Sequence, residues 1–226
     1  GNGPRGETGK KPGWMIIDCM MNIPLLYWAG KEMEDPRFTD IANRHAETAM
    51  RVLLRPDGSC NHIGILDPET GEVISLPGGQ GYGEGSSWSR GQAWAVYGFA
   101  LAFLHTAHYF LANVAMTGYG SLVDFRAPKE PVYWDTTATA CAACGLLPIE
   151  EMAPVFEKDL YSAGAVKMLM ALSESHCDWN LKTDGILQNG TAAYWRDTDR
   201  HVPIIYGDYF YVEGILRLLG KEFMIW

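Results

Sequence analysis

The chain has 226 residues, of which 47% are hydrophobic and 20% are charged, a composition that excludes an intrinsically disordered protein. Its formal net charge of −9 has the wrong sign for a protein that binds nucleic acid or an anionic membrane surface, so we expect neither partner. No apolar stretch approaches the roughly 18 residues of a membrane span. A small-molecule ligand is the expected partner, and the composition leaves the oligomeric state open.

The cysteines are odd in number and scattered, which argues against a disulfide framework and favours a reducing compartment. We therefore expect a cytoplasmic location, or a periplasmic one if a signal segment precedes the first residue. Cys141 and Cys144 have the Cys-x-x-Cys spacing of redox and zinc sites. Because they stand in a small-residue helical stretch with no second such pair, the expected interpretation is two buried thiols, and no metal is predicted.

Apolar residues recur at helical spacing through most of the chain, and no strand–helix alternation indicates a parallel sheet, so the predicted fold class is all-α. The first helix is predicted over residues 22–30, with Asn22 as its cap and Pro24 in its first turn. The second is predicted over 39–54. A hairpin of strands 63–66 and 72–76 follows, joined by the turn 67–71.

A glycine-rich segment, 77–85, leads into a helix predicted over 89–105, where Ser89 and Gln92 have the spacing of a capping box. Further helices are predicted over 109–114, 136–145, 151–175 and 207–219. Helices joined by long loops indicate a toroid of α-hairpins, of which this number would form only a part.

The segment after the glycines is the most informative for function. The glycines do not have the spacing of a dinucleotide-binding loop. Arg90 is expected in the first turn of a helix, where its guanidinium and free backbone amides together receive a carboxylate. Trp94 and Tyr97 follow at i+4 and i+7 on the same face, which suits a sugar acid. A core aromatic stripe with Arg90 paired to a nearby aspartate is the open alternative.

Asp18 has apolar neighbours and stands just before a helix, where ionisation is costly and the pKa of a carboxyl rises toward the range of a general acid. A helix cap is the alternative role, although Asn22 is better placed for it. His62 lies at the mouth of the hairpin without the partner spacing of a zinc site, so a packing role remains open beside a catalytic one.

Several motifs resemble the unsaturated glucuronyl hydrolases of glycoside hydrolase family 88, in order and over nearly the whole chain. They are Ile16-Ile-Asp-Cys-Met-Met-Asn-Ile-Pro-Leu-Leu-Tyr-Trp-Ala29, Trp88-Ser-Arg-Gly-Gln-Ala-Trp-Ala-Val-Tyr-Gly-Phe-Ala100, Asp124-Phe-Arg-Ala-Pro128, Asp135-Thr-Thr-Ala138 and Ile205-Tyr-Gly-Asp-Tyr-Phe210. The resemblance implies an (α/α)6 barrel, forming a single catalytic domain over 1–226 that holds roughly the carboxy-terminal two thirds of the family fold. The family's amino-terminal His-Asp-x-Gly-Phe motif has no counterpart here.

The resemblance implies an enzyme that releases Δ4,5-unsaturated uronic acid from the non-reducing end of lyase-generated oligosaccharides by hydrating a vinyl ether, without a cofactor. Asp18 is then the general acid and base. The implied substrate-binding residues are His62, Gln80, Trp88, Arg90 and Trp94. An unsaturated rhamnogalacturonyl hydrolase and a non-catalytic carbohydrate-binding toroid are the alternatives.

Overall fold

The computed structural model describes residues 12–98, 103–180 and 183–221. Seven helices dominate this part of the chain: α1 (Ile23–Glu32), α2 (Pro36–Leu53), α3 (Ser89–Gly98), α4 (Phe103–Ala115), α5 (Thr136–Met152), α6 (Lys158–Ser175) and α7 (Ile205–Leu218). Short 3-10 helices cover Ile17–Met21 and Asp197–Asp199. No helix in the described ranges is long and apolar enough to cross a bilayer.

A small antiparallel sheet, of which only the hairpin was predicted, joins the helices. Its strands are β1 (Gly13–Ile16), β2 (Ile63–Leu66) and β3 (Val73–Ser75), in the order β1-β2-β3. The predicted hairpin is confirmed, because Asp67 accepts the backbone N–H groups of Glu69 and Thr70 and the left-handed Gly71, with φ of 71°, completes the turn. Strand β1 was missed, since four residues of mixed exposure carry little periodic signal.

Helix α5 is the centre of the larger core and packs against α3, α6 and α7. Its small residues allow close approach: a Cβ at Gly145 would lie 3.0 Å from the backbone of Tyr97. The predicted end at residue 145 was wrong. The helix continues to Met152 because Leu146 and Ile149 are buried in the core. Their burial offsets the stability that is lost because Pro148 cannot donate a backbone hydrogen bond.

The smaller core lies between the sheet, the first 3-10 helix and α2, and α3 separates it from the larger one. Side chains of Ile17, Met20, Val52 and Leu53 are buried there. Trp94 of α3 is half-buried and contacts both cores. The residues that the sequence predicts to form the functional site lie where the two cores meet.

The helix starts are partly as predicted. Asn22 stands at the N-cap of α1 and Pro24 in its first turn, but the Asn22 side chain donates to the Asp18 carbonyl instead of accepting a helix N–H. The capping box at Ser89 is wrong: its hydroxyl donates to the carbonyl of Val123, and Gln92 donates to the carbonyl of Gly58. Both polar groups are buried and therefore bond to the chain segments that cover the helix start. Residues 99–102 of that predicted helix lie outside the described residues.

Candidate functional site

The sheet register brings Asp18 to His62. Ile16 of β1 pairs with Ile63 of β2, and the N–H of Ile17 donates to the carbonyl of His62 at 3.0 Å. The 3-10 helix begins at Ile17, and the side chain of the following residue, Asp18, lies next to the imidazole of His62. Asp18 Oδ2 lies 3.5 Å from His62 Nε2. Two residues that are far apart in sequence therefore form a carboxylate–imidazole pair.

The tautomer of His62 follows from its other nitrogen. The backbone N–H of Gln80, an obligatory donor, points at His62 Nδ1 from 2.9 Å. Nδ1 also lies 3.3 Å from the carbonyl oxygen of Gly78. The shorter contact with the Gln80 N–H favours the tautomer in which Nδ1 keeps its lone pair and Nε2 carries the proton, facing Asp18. The imidazole is 5% exposed and packs against Trp88 with ring centroids 4.3 Å apart and ring planes tilted by 36°, which limits its movement.

The Asp18 carboxyl is protected on one side and accessible on the other. The side chain is 38% exposed, but its Oδ2 is buried and has no hydrogen-bond partner among the described residues. The helix-cap alternative is wrong, because the flanking helices have Ile16 and Asn22 at their N-caps. The Asp18 carboxyl does not cap a helix, so it is available for proton transfer.

Trp88 and Trp94 were both predicted to stack on a ligand, and the structure separates their roles. Trp88 is only 2% exposed, covered by His62 on one side, so it supports the imidazole and does not face a ligand. Trp94 meets Trp88 edge to face at 5.4 Å and is half-buried. Of the two indoles, Trp94 alone retains accessible area.

The structure places Arg90, which was predicted to receive a carboxylate of the substrate, in a buried ion pair. Its side chain is fully buried, and its Nε and Nη2 both lie 3.0 Å from Asp135 Oδ2. Burial is the largest single influence and on its own would lower the pKa of the guanidinium, but Asp135 and Tyr206 together outweigh it and raise the pKa, so Arg90 stays charged. The alternative of an arginine paired with a nearby aspartate is confirmed.

Gln80 is held at two points beside the pair. Its side-chain Nε2 donates to the carbonyl of Ala192 at 2.6 Å, and its backbone carbonyl accepts from the N–H of Tyr194 at 2.9 Å. The glycine-rich segment around it depends on Asp124, a residue that the sequence motifs contain but to which no role was assigned. The buried Asp124 carboxylate accepts backbone N–H groups of Tyr82 and Ser87, each at 3.0 Å.

An exposed indole that sequence reasoning missed stands next to this segment. Trp195 is 65% exposed, yet its Nε1 donates to the carbonyl of Tyr82 at 2.6 Å and its ring stacks on the Tyr82 ring at 5.4 Å. A fixed and exposed aromatic plane suits the apolar C–H face of a sugar. No local pattern predicts it, because its rigidity comes from a contact with a distant loop.

The thiols and carboxylates do not form a metal centre in the described part of the chain, where no group of three or more His, Cys, Asp or Glu side chains converges. Cys141 and Cys144 are fully buried thiols, as predicted, and the Cys144 thiol donates to the carbonyl of Phe210 at 2.8 Å.

The sequence and fold are similar to those of known proteins, although no family model matches the chain. An unsaturated glucuronyl hydrolase of Bacillus sp. (strain GL1) is 37% identical, over 96% of this chain and 61% of the relative. An unsaturated chondroitin disaccharide hydrolase of Streptococcus pyogenes serotype M1 is 35% identical, over 94% of this chain and 57% of the relative. The chain thus spans about three fifths of the length of these relatives.

Solved structures give the same result. A crystal structure of unsaturated glucuronyl hydrolase from Streptococcus agalactiae superposes with a TM-score of 0.87 at 29% identity, covering 94% of this chain and 57% of that one. A structure of a substituted UGL with dGlcA-Glc-Rha-Glc has a TM-score of 0.85 at 36% identity, covering 96% and 61%. The predicted all-α toroid is confirmed, with a small sheet added. In sequence and in fold, nearly the whole of this chain is homologous to unsaturated glucuronyl hydrolases.

Proposed function

We propose that the chain is the part of a glycoside hydrolase that carries its general acid, and that it releases Δ4,5-unsaturated uronic acid from lyase-generated, glycosaminoglycan-type oligosaccharides. The observation that carries the proposal is the Asp18–His62 pair, in which a half-exposed carboxyl faces the Nε2–H of a neutral imidazole. The names of the homologous proteins support the substrate class.

In the first step, protonated Asp18 donates its proton to C4 of the C4=C5 double bond, and positive charge develops at C5 and the ring oxygen. The resulting Asp18 carboxylate is stabilised by the Nε2–H of His62, in the tautomer that the short Gln80 contact favours. His62 is thus a positioning donor and does not itself exchange a proton with the sugar.

In the second step, water attacks C5 and its proton returns to Asp18, so the residue ends in the form in which it began. The product is a hemiketal, in which the bond from C5 to the ring oxygen breaks as the C5 ketone forms. The C1 hemiacetal left behind releases the second sugar as an alcohol. The sum is the addition of one water, and a single carboxyl serves both proton transfers, unlike the carboxylate pairs of glycosidases that react at C1.

Contacts to the sugar are assigned to groups that remain accessible. Trp94 and Trp195 offer aromatic surfaces, and half-buried Gln80 lies between the acid and the Trp195 loop. Trp88 and Arg90 support this surface from beneath. A solved homologue with 28% identity to this chain holds dGlcA-GalNAc6S, which is the class of ligand that the proposal requires.

The test is turnover of an unsaturated chondroitin disaccharide, followed as loss of the ultraviolet absorbance of its conjugated double bond. Asp18→Asn should abolish turnover while leaving the melting temperature nearly unchanged, because the carboxyl is half-exposed and its Oδ2 accepts no hydrogen bond from the residues that the structure describes. Asp40→Asn, on the exposed face of α2, is the matched control. Wild-type turnover by Asp18→Asn would refute the assignment of the acid.

The other two functions are outcomes of the same assay. A disaccharide that raises the melting temperature without losing absorbance would identify a carbohydrate-binding protein. Preference for a pectin-derived disaccharide over one from chondroitin would identify a rhamnogalacturonyl hydrolase. The proposal includes a cytoplasmic location, supported by five free cysteines.

A further inference from the structure

The carboxylate of Asp124 holds a loop of the site and takes no part in the chemistry described above. Its side chain is buried, and the residue is only 2% exposed. Oδ1 accepts the backbone N–H groups of Ser87 at 3.0 Å and Arg126 at 2.9 Å, and Oδ2 accepts that of Tyr82 at 3.0 Å. Tyr82 and Ser87 flank the turn at the end of the glycine-rich segment, so one carboxylate fixes both sides of this turn.

The loop packs closely on Asp124 at a glycine next to Gln80. A Cβ at Gly81 would lie 2.7 Å from Asp124 Oδ2 and 2.8 Å from Ser86 Oγ, so a side chain there would displace one of these groups. At Gly83, in the same turn, an added Cβ has no atom within 4 Å. The close fit at residue 81 means that the position of the adjoining residue, Gln80, depends on the carboxylate.

The position of the loop determines which backbone group contacts the imidazole. The Gln80 N–H lies 2.9 Å from His62 Nδ1, and the Gly78 carbonyl oxygen lies 3.3 Å from the same atom. The N–H is a donor, which favours a proton on Nε2, whereas the carbonyl is an acceptor, which favours a proton on Nδ1. The two distances are so similar that a small shift of the loop would reverse their order. Because Nε2 faces Asp18, that shift would present the acid with a lone pair in place of an N–H.

The proposed reaction requires the tautomer with the proton on Nε2. Transfer of a proton from Asp18 to the sugar leaves a carboxylate, which the Nε2–H of His62 stabilises. A lone pair on Nε2 would repel this carboxylate and would attract the proton of protonated Asp18. Both effects disfavour the first step, so the turnover rate depends on where the loop holds its two backbone groups.

We propose that Asp124 is a positioning residue, which selects the nitrogen of His62 that carries the proton by holding the loop that contacts the ring. This inference rests on the proposed function. Asp124 acts through Gln80 and does not touch the substrate. The segment 192–194 also holds Gln80, as described above, so the tautomer depends on both supports.

The test compares Asp124→Asn with Asp67→Asn. An asparagine at position 124 keeps one oxygen acceptor, but its NH2 group then faces a backbone donor, so the contact with Ser87 or that with Tyr82 is lost. Asp67 is the matched control because it also accepts two backbone N–H groups, while strand β2 separates it from His62. The readout is the tautomer of His62, taken from the NMR chemical shifts of the two nitrogens in the neutral ring and assigned by the loss of these signals in His62→Gln.

We expect Asp124→Asn to move the proton of His62 toward Nδ1 and to lower kcat for the unsaturated chondroitin disaccharide by up to about a hundredfold, the effect of a misplacement of about 1 Å. Asp67→Asn should keep the wild-type tautomer and kcat. A wild-type tautomer in Asp124→Asn would overturn the proposal, whatever its stability, and leave Asp124 a structural residue. A shifted tautomer with wild-type kcat would overturn it as well, as would a proton on Nδ1 in the wild type.

The tautomer is observed without substrate, so the two proposals are tested separately. Wild type that does not turn over the disaccharide would refute the proposed function, and the effect of Asp124 on the imidazole would still be measured.

A second pair of variants keeps the carboxylate and does not depend on the folding of Asp124→Asn. Gly81→Ala should push the loop away from Asp124, and Gly83→Ala is its control in the same turn, where the added methyl group meets no atom. Gly81→Ala should shift the tautomer of His62 and lower kcat, whereas Gly83→Ala should match the wild type. Wild-type tautomer and kcat in Gly81→Ala would overturn the proposal.

Discussion

The buried ion pair of Arg90 and Asp135 is the interaction whose loss should have the largest effect on stability. Both side chains have no exposed area, and two guanidinium nitrogens lie 3.0 Å from one carboxylate oxygen. Asp135→Asn keeps the size of the side chain and an oxygen for the N–H of Ala138 at the start of α5, but it removes the charge and places an amide NH2 where Asp135 Oδ2 accepted from Arg90. The guanidinium then remains buried without a counter-charge.

Removing one partner of a buried pair costs about 3–5 kcal/mol. At about 2–4 °C per kcal/mol for a chain of this size, the melting temperature should fall by about 6–20 °C. The assay is urea unfolding followed by circular dichroism and tryptophan fluorescence, with the midpoint and slope fitted together.

The control is Asp35→Asn, because Asp35 also caps a helix and also pairs with an arginine. Its partner, Arg37, is 85% exposed, so solvent replaces the lost interaction and the midpoint should scarcely move. A loss below about 1 kcal/mol for Asp135→Asn would show that Arg90 is solvated in solution, and would return it to consideration as a ligand residue.

Two further predictions concern the imidazole and the thiols. A Cβ at Gly79 would lie 2.2 Å from His62 Nδ1, so Gly79→Ala should displace the imidazole ring and lower turnover. Gly71→Ala is the control, because Gly71 has the same left-handed backbone but no atom within 4 Å of the added Cβ, so this variant should lose stability only. Equal turnover of the two variants would contradict this prediction. Burial raises the pKa of the Cys19 thiol to about 12, with a smaller contribution from the charge of Asp18. Burial also raises the pKa of the Cys141 and Cys144 thiols. Ellman's reagent at pH 8 should therefore modify none of the three cysteines before the protein unfolds. Rapid labelling of the native protein at Cys141 or Cys144 would contradict the burial of α5.

Local signals predicted those parts of the fold that local interactions determine. Helical spacing, the proline at the start of α1 and the Asp67–Gly71 turn all depend on neighbours in sequence, and the structure has them. Strand β1 was missed because its partner strand is distant in sequence, as in the pairing of Gly13 with Leu66, and no nearby residue marks it.

The same distinction explains the outcome at the site. Asp18 and His62 were predicted from motifs as site residues, and the structure brings them together. The burial of Arg90 depends on Asp135 and Tyr206, which lie far away in sequence and whose motifs carried no assigned role. Residue type showed that an arginine and aromatic rings stand near one another, but not which of them faces the ligand.

The pairing of β1 with β2 has a consequence for how such a chain tolerates insertions. Asp18 and His62 lie just beyond the paired ends of these strands, where the N–H of Ile17 donates to the carbonyl of His62. The segment of chain between them contains the whole of α1 and α2. A change in the length of this segment does not move Asp18 or His62 relative to each other. A single residue added between Ile16 and Asp18 would instead turn the carboxyl by about 120° around the 3-10 helix and away from the imidazole. We therefore expect homologues to vary in length between Asp18 and His62 and to keep the step from Ile16 to Asp18 constant.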